Sequence, residues 1–251
     1  MTGANSNELI EPAYGIHEVV VESPEHVESL SDLPADQVKL VFRAYRDRLR
    51  QLKTDSQFKY GLVFKNVGEA GGASIEHAHS QLVALPNVPP VVQAELGGSA
   101  RYLEEHGRSF WQNLVDEAVE SGTRLAIETS HHVAVCPFAA RFPFETWVAP
   151  KRSATHFEMS DDEELEDAAV LVQDVIRRFE RLLDRPAYNF LIHTTPFSLS
   201  KDTEYRWHIE VFPRLAKLAG FEWATGCYIN AVPPELAAEK LRDCDVVLNR
   251  V

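Results

Sequence analysis

Several features that would assign this chain to a familiar class are scarce or absent. Only three of its 251 residues are cysteines, and Cys136, Cys227 and Cys244 are too widely spaced for a disulfide framework or a CxxC metal site. No run of about 18 uncharged apolar residues occurs, and the first residues form neither a basic cluster nor an apolar stretch. We therefore expect a cytoplasmic protein without a membrane partner.

Positive charge is also in short supply. The 38 acidic residues outnumber the 25 lysines and arginines, which gives a formal net charge of −13. Binding to duplex nucleic acid needs a concentrated basic face, so we expect no nucleic-acid partner. The sequence also lacks the G-x-S-x-G elbow, the P-loop and the G-x-G-x-x-G fingerprint. A small anionic substrate stays compatible with this composition, provided that its pocket is locally favourable.

The chain contains two loosely similar halves. Tyr188 follows Tyr60 by 128 residues, and His208 follows His79 by 129 residues, so corresponding positions keep a nearly constant spacing. Each half has an early strand, an amphipathic helix and two further strands. The predicted helices span residues 34–54 and 161–183, and the predicted strands span residues 17–21, 60–64, 77–85, 144–148, 188–192 and 207–212.

This order of elements predicts the fold class. A strand, a helix and then strands in quick succession favour an antiparallel sheet with the helix across it, so we expect an α+β protein. The repeat predicts two tandem modules, residues 1–98 and 99–251, whose sheets lie edge to edge. His208 would then occupy the position equivalent to His79. Ser160 and Glu163 form a capping-box pattern at the start of the second helix.

The residues most suited to chemistry lie on the predicted strand at 77–85. Alternate side chains of a strand share a face, so His77, His79 and Gln81 should project together. A glycine-containing turn at residues 66–74 precedes them, and its backbone N–H groups could cradle a phosphate. A neutral imidazole beside such donors is a good nucleophile toward phosphorus. Taken alone, the H-x-H pair is equally typical of polar surface or of metal ligands.

In its extended motifs the sequence resembles the galactose-1-phosphate uridylyltransferase family of the histidine-triad superfamily, which includes plant-type nucleotide-sugar phosphorylases. The resemblance covers nearly the whole chain. The matching segments are residues 17–26, 64–68, 73–81, 137–145, 207–210, 213–214, 220–222, 225–230 and 234–235.

This resemblance implies a nucleotidyltransferase that moves a nucleoside monophosphate between a nucleotide sugar and a sugar 1-phosphate. His79 would attack phosphorus and form a covalent nucleotidyl-histidine, and Gln81 would hold a phosphoryl oxygen. The glutamine stands where hydrolases of the superfamily carry a third histidine, which favours transfer over hydrolysis. A homodimer is compatible with the resemblance. The implied contacts to phosphate or nucleotide are Asn66, Gly72, Ala73 and Ser74.

The resemblance also implies a zinc site. His26 and His77 match two of its ligands, but the family's two cysteines belong to an N-terminal segment with no counterpart before His17. We therefore expect an incomplete site, at which zinc would need other ligands. A second zinc site of the family is expected to be absent. Its four ligand positions hold Ser109, Gln112, Ser153 and Arg206.

Two classes of function stay open at this point. The first is a transferase with uridine and hexose 1-phosphate as default substrates, or an adenylyl-type phosphorylase, since relatives with similar motifs use adenine nucleotides. The second is a nucleotide-binding or regulatory protein that has lost turnover. Hydrolysis of dinucleoside polyphosphates is less favoured because of Gln81. His208 and Glu210 are expected to be structural or pocket-lining, because a carboxylate at position 210 would repel phosphate.

Overall fold

The computed structural model describes residues 14–245, in which one antiparallel sheet is flanked by helices. The strands are β1 (Ile16–Val21), β2 (Tyr60–Val67), β3 (His79–Leu85), β4 (Leu125–Glu128), β5 (His132–Val135), β6 (Thr146–Pro150), β7 (Tyr188–His193) and β8 (His208–Pro213). The α-helices are α1 (Ala35–Leu52), α2 (Pro90–His106), α3 (Phe110–Ser121), α4 (Asp162–Leu183), α5 (Gly220–Thr225) and α6 (Pro234–Arg242). Short 3-10 helices span Leu30–Asp32, Glu69–Gly71 and Phe157–Met159.

The order of the strands is symmetric about the centre of the sheet. The eight strands run β1-β3-β2-β7-β8-β6-β5-β4, and every neighbouring pair is antiparallel. The series β1-β3-β2 mirrors β6-β8-β7, and Asn66 pairs with Asn189 at the junction. This confirms the α+β class and the edge-to-edge arrangement of the two halves. The division of the chain after residue 98 falls within α2 and stays a prediction.

Helices α1 and α4 cover one face of the sheet, which we call the back face. The buried residues of α1 recur every three or four positions, as an amphipathic helix on a sheet requires. They are Val38, Val41, Phe42, Tyr45, Arg46, Leu49 and Leu52. Apolar side chains of β2, β3, β7 and β8 and of α4 and α6 complete the same core. No helix within residues 14–245 is long and apolar enough to cross a membrane.

Helix α4 begins one residue later than the capping pattern predicts. Asp161 is the N-cap, and its side chain accepts the backbone N–H of Glu164 at 2.9 Å. The predicted capping box of Ser160 and Glu163 is therefore wrong. Ser160 instead ends the preceding 3-10 helix, and its buried hydroxyl makes no hydrogen bond within the described chain. A carboxylate also suits this position because it faces the positive end of the helix dipole.

The opposite face of the sheet, which we call the front face, carries His79 and His208 and is covered unevenly. In the second half, α2 and α3 lie over it, and the ring of Trp111 lies 4.5 Å from that of His208. In the first half, Val19 and Val21 are 55% and 64% exposed on the edge strand β1. His79 and His208 are both buried, at 8% and 1% exposure, so the two symmetric positions differ mainly in what covers them.

A buried ion pair lies on the back face, directly behind the strand that carries His79. Lys65 Nζ donates hydrogen bonds to Glu22 Oε2 at 2.7 Å and to the backbone oxygen of His79 at 3.0 Å. The hydroxyls of Tyr45 and Ser80 both donate to Glu22 Oε1. Burial lowers the pKa of Lys65, and the charge of Glu22 opposes that shift. The cluster thus ties β1, β2 and β3 to α1.

The first prediction concerns this ion pair. Lys65→Met would leave the carboxylate of Glu22 buried without its cation, and we expect the free energy of unfolding to fall by about 3–5 kcal/mol in urea denaturation. Lys151→Met is a matched control, because Lys151 Nζ also donates to a carboxylate, that of Glu128 (2.7 Å), and to a backbone oxygen, that of Thr129 (3.1 Å). Its side chain is 34% exposed, so its loss should cost less than about 1 kcal/mol. Equal costs for the two variants would contradict the role given to the buried pair.

Candidate functional site

The ring of His79 is oriented by the backbone just before its strand. Its Nδ1 lies 2.8 Å from the carbonyl oxygen of His77. A carbonyl can only accept, so Nδ1 carries the proton and the lone pair of the neutral ring is on Nε2. His77 itself precedes β3, which begins at His79 rather than at residue 77. The geometry gives His79 the tautomer that a nucleophilic imidazole needs.

A cavity of about 290 Å³ adjoins His79. Three of the four predicted substrate-binding residues, Asn66, Ala73 and Ser74, line it, and so does His77. The fourth, Gly72, lies in the same turn but outside this lining. The structure therefore brings most of the predicted residues to one place, while their contacts to substrate stay predictions.

The turn at residues 66–74 differs from the predicted phosphate cradle. The N–H groups of Gly71, Gly72 and Ala73 all donate to carbonyl oxygens of the same turn. They are therefore not free to bind phosphate, and that part of the expectation is wrong for these three groups. Gly72 has a φ of 83°, which favours glycine. Among the side chains, the amide of Asn66 lines the cavity and carries hydrogen-bond donors.

Gln81 lies two residues beyond His79 on β3 and outside the cavity lining. Its Oε1 accepts a hydrogen bond from Nε2 of His17 on β1, with 2.8 Å between the two atoms. Val19 and Phe64 are its direct neighbours on the two flanking strands. No role for His17 follows from the sequence, because alternation predicts the face of a residue but not its cross-strand partner.

His26 and His77 do lie together, but they do not make a complete metal site. Their ring centroids are 5.5 Å apart. His77 Nε2 donates to the backbone oxygen of Ser23 at 2.8 Å, so Nδ1 is the only nitrogen of the His77 ring that is left for a metal ion. Within residues 14–245, no third histidine, cysteine or carboxylate joins them in a ligand cluster. Structural zinc takes four ligands, so this pair supplies half a site and zinc here stays a prediction.

The second half places a buried guanidinium at one of the replaced zinc-ligand positions. Arg206 donates from Nη1 to the backbone oxygen of Pro150 at 2.9 Å and from Nη2 to Gln112 Oε1 at 2.8 Å. Burial lowers its pKa to about 10, against the charges of Glu204 and Asp116. Arg206 thus links α3 to the end of β6 through hydrogen bonds.

His208 repeats the geometry of His79 in a closed environment. Its Nδ1 lies 3.1 Å from the backbone oxygen of Arg206, just as His79 faces that of His77. Its Nε2, however, is buried without a hydrogen-bond partner in the described chain, and the rings of Trp111 and Trp147 pack against it. Burial and the neighbouring His193 lower the pKa of His208 to about 4. The ring is therefore a neutral, enclosed imidazole.

Around His208 lies a cluster that could hold a metal ion. Ligand atoms of Glu95, His193, His208 and Glu210 lie within 4.8 Å of one another. The groups also bind each other: Glu95 Oε2 accepts from His193 Nδ1 at 3.1 Å, which holds the pKa of Glu95 at about 2 in spite of its burial and raises that of His193. No local motif marks this cluster in the sequence, because its members come from α2, β7 and β8.

Glu210 is not the free carboxylate that the sequence analysis assumed. Its Oε2 accepts from Arg141 Nη2 at 2.5 Å, and Arg141 also binds Glu145. Arg141 is shared between the two carboxylates, so the expected repulsion of phosphate by position 210 stays a prediction. Enclosure by α2 and α3 further separates this site from that of His79.

A larger cavity lies elsewhere in the described chain. It has a volume of about 850 Å³ and lies on the back face, between the start of α1, β4 and α4. Its lining contains no histidine or cysteine and holds more acidic than basic side chains. We therefore place the candidate chemistry at the smaller cavity beside His79.

Comparison with known proteins agrees with this geometry. Residues 4–89 match the model of the galactose-1-phosphate uridyl transferase N-terminal domain, and residues 95–243 match that of its C-terminal domain. An ADP-glucose phosphorylase of Arabidopsis thaliana is 39% identical over 92% of the chain and 65% of its own length. A galactose-1-phosphate uridylyltransferase of Thermotoga maritima is 32% identical over 94% of the chain and 76% of its own length.

The solved structures show the same relationship. The crystal structure of the ADP-glucose phosphorylase from Arabidopsis thaliana with bound ADP-glucose superimposes with a TM-score of 0.87, at 37% identity, over 93% of this chain and 75% of that one. The chain spans 65% of the length of the Arabidopsis relative. Both family models together cover nearly all of the sequence, and the chain therefore belongs to the galactose-1-phosphate uridyl transferase family.

Proposed function

We propose that the chain is a nucleotidyltransferase in which His79 takes a nucleoside monophosphate from a nucleotide sugar. The observation that carries this proposal is the ring geometry of His79. The carbonyl of His77 holds Nδ1–H, so the lone pair of Nε2 is available beside a cavity that Asn66 and Ser74 also line. Family membership supports the same chemistry.

The reaction would proceed by two displacements at phosphorus. His79 Nε2 attacks the α-phosphorus, an N–P bond forms, and the P–O bond to the sugar 1-phosphate breaks with its electron pair on the leaving oxygen. A phosphate oxygen of the acceptor then attacks the same phosphorus, and the N–P bond breaks to restore neutral His79. The amides of Asn66 and Gln81 would donate to the non-bridging oxygens, whose charge they stabilise.

The base and the acceptor define two versions of this reaction. Our default is uridylyl transfer between UDP-glucose and a hexose 1-phosphate, and the name of the Thermotoga relative, galactose-1-phosphate uridylyltransferase, supports uridylyl transfer. The alternative is an adenylyl-type phosphorylase that uses ADP-glucose and phosphate, which the 39% identity to the Arabidopsis enzyme favours. Both versions begin with the same displacement, but the nucleotide that becomes attached to His79 differs. The mass of the covalent intermediate therefore separates them.

That measurement is the second prediction. Intact mass after incubation with UDP-glucose, and separately with ADP-glucose, should show one nucleotidyl group per chain with the preferred donor. His79→Asn should abolish the adduct and lower exchange at least about a thousandfold, because the attacking nitrogen is lost while the fold is kept. Nucleotide binding without any adduct in the wild-type protein would support the regulatory class instead. An adduct that persists in the variant would remove His79 from the mechanism.

The third prediction compares the two symmetric histidines. Because α2 and α3 enclose His208, we expect one reactive site per chain, at His79. The front face of the second half should then have a structural role only. His208→Asn, checked for folding by circular dichroism, should keep the adduct at one nucleotide per chain. If this variant loses the adduct while His79→Asn keeps it, the chemistry belongs to the second half.

The fourth prediction concerns metal. The cluster at His208 offers four ligand groups, whereas His26 and His77 offer two, so the cluster should hold a metal ion more firmly. We expect elemental analysis after dialysis against a chelator to find at most one metal ion per chain, lost in His193→Ala and kept in His26→Ala. The reverse pattern would place the ion at the pair predicted from sequence.

A further inference from the structure

We propose that His17 and Asn189 orient the amides of Gln81 and Asn66, so that both amides present N–H groups to a phosphoryl group at His79. The identity of that ligand rests on the proposed function. His17 and Asn189 touch no substrate in this proposal. They are positioning residues, and each acts through the amide on the neighbouring strand.

A primary amide has two ends with opposite hydrogen-bonding roles. Its oxygen only accepts and its NH₂ only donates, whereas the non-bridging oxygens of a phosphoryl group only accept. An amide turned by 180° would therefore offer an oxygen to an oxygen. Both amides of this site must be held in one of two nearly equal orientations if they are to stabilise the charge on phosphorus-bound oxygens.

His17 fixes the first amide. Gln81 Oε1 accepts from His17 Nε2 at 2.8 Å, so this nitrogen of His17 carries a proton. The oxygen of Gln81 is thereby drawn toward the edge strand β1. Its NH₂ makes no hydrogen bond to another described residue and stays available on the front face, the face that His79 shares two residues earlier.

Asn189 fixes the second amide from the other side. Its Nδ2 donates to Asn66 Oδ1 at 2.7 Å and to the backbone oxygen of Gly71 at 2.7 Å. The second bond shows that Asn189 acts here as a donor, which leaves Asn66 with its oxygen occupied and its own NH₂ free. That NH₂ lies over Gly72, 3.9 Å from the point where a Cβ would stand.

The two contacts make one consistent arrangement. Each oxygen is engaged by a donor from an adjacent strand, β1 on one side and β7 on the other. Both NH₂ groups are left for a ligand that only accepts hydrogen bonds. A phosphoryl group bound to His79 Nε2 has that property, whereas a ligand that donates would be repelled.

Two substitutions of His17, one that keeps a hydrogen-bond donor and one that replaces it with an acceptor, test its role with and without the Gln81 side chain. His17→Lys keeps a donor at position 17, whereas His17→Glu replaces it with an acceptor that would turn the NH₂ of Gln81 toward β1. We expect kcat for nucleotidyl transfer to fall about 3- to 10-fold more in His17→Glu than in His17→Lys, with less change in KM, because the contact strengthens as charge develops. In a Gln81→Ala background the difference should shrink to under about twofold. An unchanged difference there would mean that position 17 acts by charge alone and would overturn the proposal.

Asn189→Asp supplies the isosteric test of the second contact. The carboxylate can only accept, so it should draw the NH₂ of Asn66 away from the cavity and lower kcat by a similar factor. The same change in an Asn66→Ala background should have little further effect. Equal losses in both backgrounds would show that Asn189 supports the turn at Gly71 and not the amide.

A measurement without turnover separates this proposal from the proposed function. In the ligand-free protein, ¹⁵N spectra of the imidazole rings should show His17 Nε2 as a protonated nitrogen that donates a hydrogen bond, and Gln81→Ala should remove the chemical-shift change that this hydrogen bond produces. Identical spectra of the two proteins would overturn the role of His17 whatever the enzyme does. Wild-type protein that forms no nucleotidyl adduct, but shows the expected shift, would refute the proposed function and keep the orientation of the amide.

Discussion

The buried ion pair of Glu22 and Lys65 is the contact on which the geometry of the site depends. Lys65 holds the carbonyl of His79 from the back face, while the carbonyl of His77 holds the His79 ring from the front. Backbone and side chain are therefore restrained independently at the residue proposed to attack phosphorus. Such a pair adds little net stability compared with apolar residues of the same shape, because both ions lose their hydration. The pair instead fixes the relative positions of the strands. Tyr45 and Ser80 also donate to the carboxylate of Glu22, so the observed arrangement of β1, β2 and β3 leaves no charge of this pair without a partner.

The two halves of the sheet are symmetric, but the surroundings of His79 and His208 differ. Duplicated strands give His79 and His208 the same tautomer through the same contact to a carbonyl two residues earlier. What differs is the layer above them. Helices α2 and α3 cover the second half, exclude water from His208 and lower its pKa, whereas the front face of the first half keeps exposed apolar positions on β1. One ring has become part of a core and the other lines a cavity, although their local backbone geometry is alike.

The sequence predicted those features that follow from local pattern, and failed where a partner is distant in the chain. Alternation and the internal repeat were enough for the fold class, the paired strands and the shared face of His79 and Gln81. Alternation does not give register, so the contact of His17 with Gln81 was out of reach, as was Arg141 beside Glu210. The turn at residues 66–74 failed for a related reason. Glycines predict a tight turn, but the N–H groups of a tight turn often donate to its own carbonyls. The structure shows that this holds for the N–H groups of Gly71, Gly72 and Ala73.

The amide of Asn66 shows why the two halves act as one unit. Its oxygen is held by Asn189, which belongs to β7 and hence to the second half of the repeat. A division of the chain after residue 98 would therefore separate a cavity residue from the group that orients it, and would also expose the edge of β2. An isolated first half would keep every residue that matches the family's reactive motif and would still lack Asn189, one of the two residues proposed to orient the amides of Gln81 and Asn66. The second half needs no reaction of its own to have a role, because Asn189 and the β2–β7 junction complete the surroundings of Asn66 in the first half.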